Sequence, residues 1–199
     1  STGTLVDASN NIGIGNGVLK HIDSSNSHSN IAIGQSALSK FKGNSNIGIG
    51  NSCLANYYNI TSASSNLTAI GSSILSSNTG THTSARSVLI GSSCLESFKH
   101  KTTDDVIIGP SACVNLENDD EMKENVIIGD GAGKKNYGDR CIIIGAHSGY
   151  QGNDIIRSTK CIYIGSSAQT DGNYTNETII GSNTNGNGSN TVTIGNSDI

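Results

Sequence analysis

The sequence contains no tryptophan, one proline, one methionine, two phenylalanines and six tyrosines among 199 residues. Without large aromatic side chains, apolar burial has to come from Ile, Leu, Val and Ala. Only 34% of the chain is hydrophobic, too little for a helical bundle or a conventional globular core. Charge is scarce as well: 14% of residues are charged and the net charge is −4. That excludes the highly charged class of disordered chain, and the absence of a Lys/Arg cluster argues against a nucleic-acid partner. No apolar run reaches half of the roughly 20 residues that a membrane helix needs. What is abundant is Gly, Ser, Asn and Thr, together 95 residues. The options left are a polar linker and a repeat protein with a thin, regular core.

Self-comparison of the chain decides between them. It contains NIGIGNGVL, NIAIGQSAL, NIGIGNSCL, LTAIGSSIL, SVLIGSSCL, DVIIGPSAC, NVIIGDGAG, CIIIGAHSG, CIYIGSSAQ, ETIIGSNTN and TVTIGNSDI. These are eleven repeats, anchored on Gly15, Gly34, Gly50, Gly71, Gly91, Gly109, Gly129, Gly145, Gly165, Gly181 and Gly195, at intervals of 14 to 21 residues. A fixed nine-residue motif therefore alternates with polar loops of variable length, and residues 1–199 read as a single repeat domain.

Isoleucine precedes the glycine in every repeat, and Ile, Val or Thr stands two residues before that isoleucine. β-Branched residues at alternate positions predict a short strand with both side chains on one face. The glycine after it predicts a corner or a close backbone approach. A strand this short cannot bury a face alone, so the expectation is a parallel β-solenoid (β-roll) of about eleven coils, all-β, with the isoleucine ladder turned inward. Volumes exchange at two further slots. Gly13, Ala32, Gly48 and Ala69 on the strand go with Leu19, Leu38, Leu54 and Leu75 four residues after the glycine. Ile107, Ile127, Ile143, Tyr163 and Ile179 go with Cys113, Gly133, Gly149, Gln169 and Asn185. Compensating volumes imply a shared close-packed space. With the ladder assigned to the intrachain core, that space is expected to lie between chains, most simply three around an axis. Long loops let each chain close its own coil, so successive repeats should rise by about 4.8 Å and ten intervals should span about 48 Å.

NIAIGQSAL and its siblings resemble the N-x-A-I-G-x-x-A-L repeats of trimeric adhesin heads of the YadA-like type and of phage and other viral tail fibres. The resemblance covers Asn11 to Ile199. It implies a homotrimer that engages a host cell-surface glycan or protein. The closing segment TVTIGNSDI is similar to those just upstream of an endosialidase-type intramolecular chaperone, which would be a further partner outside these 199 residues. Loops as long as HIDSSNSHSN and NYYNITSASSN, with no heptad stalk, favour a viral fibre and a virion location over a bacterial surface adhesin.

Several constellations that suggest chemistry have plainer readings. IIGDGAGKK (residues 127–135) has the glycines of a phosphate loop without the G-x-x-x-x-G-K-[ST] spacing. The five cysteines form no C-x-x-C pair and read as small fillers. Cys141 and Cys161, at one slot of adjacent repeats, could stack closely enough to be bridged, although a reducing cytoplasm would keep them as thiols. The scattered His21, His28, His82, His100 and His147 and the acidic run Glu117, Asp119, Asp120 and Glu121 lack metal-ligand spacing. No metal and no cofactor is therefore expected. The loop tyrosines Tyr57, Tyr58, Tyr137, Tyr150 and Tyr174 are the candidate receptor-binding residues, since exposed tyrosine offers contact area with a hydrogen-bonding tip. A non-enzymatic fibre segment is expected. A tailspike depolymerase, which would need paired carboxylates, is the weaker reading.

Overall fold

The glycine that follows each motif's strand sits where a side chain does not fit. From Gly15 to Gly181 its φ lies between 124° and 144°, a region essentially reserved for glycine. A Cβ on Gly15, Gly34 or Gly129 would lie 2.7, 2.5 and 2.5 Å from the carbonyl oxygen of Gly34, Gly50 and Gly145. The corners thus stack glycine on glycine, and the motif cannot relax at that position.

The computed structural model describes residues 9–20, 27–55, 65–76, 84–96, 102–114, 121–135, 138–150 and 156–198. Among these there is no helix. Each motif supplies a three-residue strand: β1 (Ile12–Ile14), β2 (Ile31–Ile33), β3 (Ile47–Ile49), β4 (Thr68–Ile70), β6 (Val88–Ile90), β8 (Val106–Ile108), β10 (Val126–Ile128), β11 (Ile142–Ile144), β12 (Ile162–Ile164), β13 (Thr178–Ile180) and β14 (Val192–Ile194). They form one eleven-stranded parallel sheet in chain order, in register motif on motif, as in Ile12↔Ile31 and Val126↔Ile142. Three two-residue strands, β5 (Ser84–Ala85), β7 (Thr102–Thr103) and β9 (Met122–Lys123), pair as a second parallel sheet. Isolated bridges Lys123↔Asp139, Asp139↔Thr159 and Thr159↔Thr175 continue its line. The fold is a parallel β-solenoid. Because each repeat pairs directly with the next one of its own chain, the rise per repeat is one strand spacing, about 4.8 Å.

Left-handed residues make the other corners. One stands five residues before every glycine, from Asn10 (φ 62°) to Asn190 (φ 61°), and another two residues after most of them, for example Ser36 (φ 56°) and Ser167 (φ 53°). Backbone ladders run through the turns as well as the strands, with Ser36 donating its N–H to Asn16 at 2.8 Å and Leu38 to Cys53 at 3.0 Å. Short-range sequence therefore closes the coil, and repetition stacks it.

The core inverts the expected assignment of faces. The middle residue of the strand points inward: Ala32, Ala69, Leu89, Ile107 and Tyr163 are fully buried, and Ile127 and Ile143 nearly so. The flanking residues, the isoleucine ladder included, face out. A Cβ on Gly48 would meet Leu38 Cγ at 3.3 Å and Leu54 Cδ1 at 3.7 Å, and one on Gly149 would meet Ile143 Cγ2 at 3.1 Å and Tyr163 Cδ2 at 3.3 Å. The two volume-exchanging slots do share a space, but that space is the interior of one chain. Period two assigns residues to two faces and does not say which face the chain closes around. The turn toward Leu19, Leu38 and Leu54 decides it.

A second column of the core is polar. The slot four residues before the glycine holds Asn11, Asn30, Asn46, Leu67, Ser87, Asp105, Asn125, Cys141, Cys161 and Glu177. Asn30 Oδ1 accepts the backbone N–H and the side-chain amide of Asn46, both at 3.0 Å, as Asn11 Oδ1 does from Asn30 at 2.9 and 3.1 Å. Asp105 Oδ1 does the same for Asn125 at 2.9 Å, and its Oδ2 accepts the Thr103 N–H at 3.1 Å. Burial pushes the Asp105 carboxyl up to about 6, against the pull of these donors. Most of these side chains thus satisfy the backbone of the next repeat, which is how a polar sequence tolerates burial.

Candidate interaction surface

The outward slots of the large sheet make two parallel columns that run the length of the solenoid. Apart from Thr68 and Thr178 they contain only Ile and Val. Ile12, Ile14, Val192 and Ile194, at the two ends, are 53, 59, 69 and 74% exposed, and Ile70, Ile142 and Ile180 between them are 38–39% exposed. Most of the others are half-buried against their neighbours. At one strand spacing per repeat the ribbon is about 48 Å long and, with two residues between columns, about 7 Å wide. An in-register apolar strip of this length is a candidate association surface.

Polar columns border it. On one side lie the turn residues Gln35, Ser36, Asn51 and Ser52, with Asn51 donating to Gln35 Oε1 at 3.3 Å. On the other lie the left-handed corners Arg86, Asp104, Glu124, Arg140 and Lys160. Arg86 and Asp104 form a two-pronged pair at 2.6 and 2.8 Å. Arg86 holds the Asp104 carboxyl below its ordinary range, and Asp104 raises the guanidinium. An apolar centre with a polar rim is the usual anatomy of an interface.

Of the candidate receptor residues, Tyr57, Tyr58 and Tyr137 lie outside the described residues, as do Glu117, Asp119 and Asp120. Tyr150 is half-buried and carries Lys134 Nζ 5.3 Å from its ring centroid. Tyr174 donates its hydroxyl to Asp171 Oδ1 at 2.8 Å, and the nearby carboxylate raises its pKa. The two occupy different slots of the repeat, five residues after one glycine and seven before another, so the fold does not gather them into one column. Beside Tyr174 the structure adds a polar hollow of about 310 Å³ lined by Gln169, Thr170, Asp171, Asn185 and Gly186. Its one sequence signal was the replacement of Leu by Gln169 and Asn185 at the corner slot.

The glycines of IIGDGAGKK are repeat corners: Gly129, Gly131 and Gly133 have φ of 141°, 58° and 64°, the conformations that Gly109, Ser111 and Cys113 adopt one repeat earlier (142°, 51° and 54°). No group of three or more His, Cys, Asp or Glu side chains that could hold a metal ion occurs among the described residues. No helix there is long and apolar enough to cross a membrane. No protein-family model, curated protein or solved structure matches the chain.

Proposed function

We propose that this chain is a non-enzymatic segment of a homotrimeric host-attachment fibre of a virus or phage, an eleven-coil rod whose apolar ribbon mates with the same ribbon on two further copies. The observation that carries this reading is the outward Ile/Val ladder, continuous from Ile12 to Ile194. A strip that long and regular fits best against a surface with the same 4.8 Å repeat, and another copy of the chain has one. The resemblance of the motif to trimeric adhesin and tail-fibre repeats supplies the number three and the attachment role. Identical chains would multiply weak sites into avidity. Tyr150, Tyr174 and the hollow at Asp171 occupy other slots of the repeat than the ribbon, and together with Tyr57, Tyr58 and Tyr137 they are assigned the contacts to a host cell-surface glycan or protein. A virion location follows from the fibre reading. A bacterial trimeric surface adhesin is the second reading, favoured by the same motif.

Sedimentation of the wild-type chain against Ile128→Asp and Ile144→Asp tests the assembly. Both positions lie on the ribbon and are half-buried within one chain. The expected result is a wild-type trimer and folded, monomeric variants. A stable 20.5 kDa wild-type monomer at micromolar concentration overturns the reading.

A further inference from the structure

The polar column of the core asks for an oxygen: in most repeats the side chain four residues before the glycine accepts the backbone N–H of the next repeat through an amide, carboxylate or hydroxyl. Cys141 and Cys161 break that pattern twice in succession. Cys161 donates its N–H to Cys141 Sγ at 3.5 Å and Glu177 donates its N–H to Cys161 Sγ at 3.4 Å. Sulfur is a weak acceptor, so two consecutive thiols give up hydrogen-bond strength that asparagine supplies at Asn30, Asn46 and Asn125. They are also the only cysteines that share a slot on hydrogen-bonded neighbouring strands, β11 and β12, where Ile142 pairs with Ile162. The strand spacing of about 4.8 Å falls inside the Cα separation that disulfides span, and Cβ atoms one strand spacing apart need to close by about 1 Å to reach the mean disulfide separation.

The other thiols differ. Cys53 and Cys94, three residues after their glycines, are pushed by burial up to about 12 and 11, and Cys113 is raised by burial too. Cys161 moves the other way: the neighbouring Cys141 thiol, helped by the Glu177 N–H, lowers it despite burial. The group that would react first is therefore defined.

We propose that Cys141 and Cys161 are an oxidation-operated staple between consecutive repeats, closed by a two-electron oxidant as small as hydrogen peroxide. Both sulfurs are buried, so a bulky disulfide oxidant is a poor substrate for this site. The Cys161 thiolate attacks one peroxide oxygen, the O–O bond breaks, and the departing hydroxide takes up a proton as water. Cys141 then attacks the resulting sulfenic sulfur; the S–O bond breaks and the second water leaves with the Cys141 proton. The sum is two thiols and one peroxide giving one disulfide and two waters. The staple ties the β11 repeat to the β12 repeat and leaves the apolar ribbon untouched, so it does not depend on the trimer.

Wild-type protein treated with peroxide, quenched and denatured should show three free thiols where the untreated chain shows five, and a mass loss of about 2 Da. After trypsin, the peptide beginning at Cys141 should be joined to the one beginning at Cys161. In Cys141→Ser, peroxide followed by unfolding in dimedone should label Cys161, whereas Cys161→Ser treated in the same way should give no label at Cys141. Retention of five thiols under peroxide that fully oxidises free glutathione overturns the proposal, as does a bridge joining any other pair. Because the mapping is done on the wild-type chain, a poorly folding variant does not blunt the test.

Discussion

In the N-terminal repeats a corner leucine reaches over a small strand residue, as Leu38 and Leu54 do over Gly48. In the C-terminal repeats a large strand residue reaches over a corner glycine, as Ile127 does over Gly133 and Ile143 over Gly149. The coil is the same and the volume is supplied from opposite sides. The corner is left-handed in both halves: Leu19, Leu38, Leu54, Leu75 and Leu95 have φ between 47° and 55°, and Gly133 and Gly149 have 64°. A leucine there is strained by about 1–2 kcal/mol, a glycine is not. The N-terminal half therefore fills its core from a strained position and the C-terminal half from an unstrained strand. The comparison teaches that either member of a slot pair can supply the bulk of the core volume, and Leu89 with Leu95 shows that both can.

The strongest break is one to which both halves should be equally sensitive. Gly109→Val puts a β-branched side chain at φ 142°, against the Gly129 carbonyl, and is expected to cost about 4 kcal/mol or more, read from urea unfolding. Gly34→Val in the other half should match it. The next test converts one half into the other. Ile127→Ala should cost about 3 kcal/mol, and Gly133→Leu should also destabilise, because a side chain there crowds Ile127 Cγ2 at 3.1 Å and Cys113 Sγ at 3.2 Å. The double variant recreates the N-terminal arrangement and should be better than the sum of the two by about 1–3 kcal/mol. Strict additivity would show that the slots do not share a space.

The polar column gives a comparison of similar size. Asn30 and Asn46 cannot titrate, whereas Asp105 in the same slot can, with a folded pKa of about 6 against an ordinary 3.8. The native chain keeps this proton where the unfolded chain has lost it. Its contribution to stability is therefore present below about pH 4 and disappears as the pH rises to about 6, by about 3 kcal/mol in all. Unfolding midpoints between pH 4 and 7 should fall with that sign, and Asp105→Asn should flatten the profile. The smallest effect isolates backbone strain. Leu38→Gly and Ile127→Gly both empty a core slot, but only the first relieves a left-handed residue. It should be the milder by about 1–2 kcal/mol, and equal losses would mean that the corner leucines are not strained.

Much of the solenoid was legible in the residues. Eleven copies of a strand-length motif, glycine at a fixed place and two slots exchanging volume were enough to give the all-β class, the parallel in-register pairing and the one-strand rise. The exchange between Gly48 with Leu54 and Ile127 with Gly133 was also correctly read as a shared space. Its location was not legible, because Ile128 and Ile144 look like core residues by composition and regularity, and both face outward. The polar hollow around Gln169, Asp171 and Asn185 left almost no trace, since each of those residues is unremarkable in a chain this rich in amides and hydroxyls.

The sequence alone determined everything that depends on nearest neighbours along the chain: where a strand begins, where only glycine can turn the corner, and which residues recur one repeat later. Those are short-range steric and hydrogen-bonding facts that repeat with the motif. Only the tertiary structure decided which face of the strand is the inside. A period-two pattern is symmetric between its two faces, and that symmetry is broken by the direction in which the turn carries Leu38 or Gly133 back over the sheet. The same closure put asparagine, aspartate and cysteine of one slot into a single buried column, where the backbone of the next repeat supplies the partners that a linear reading cannot see.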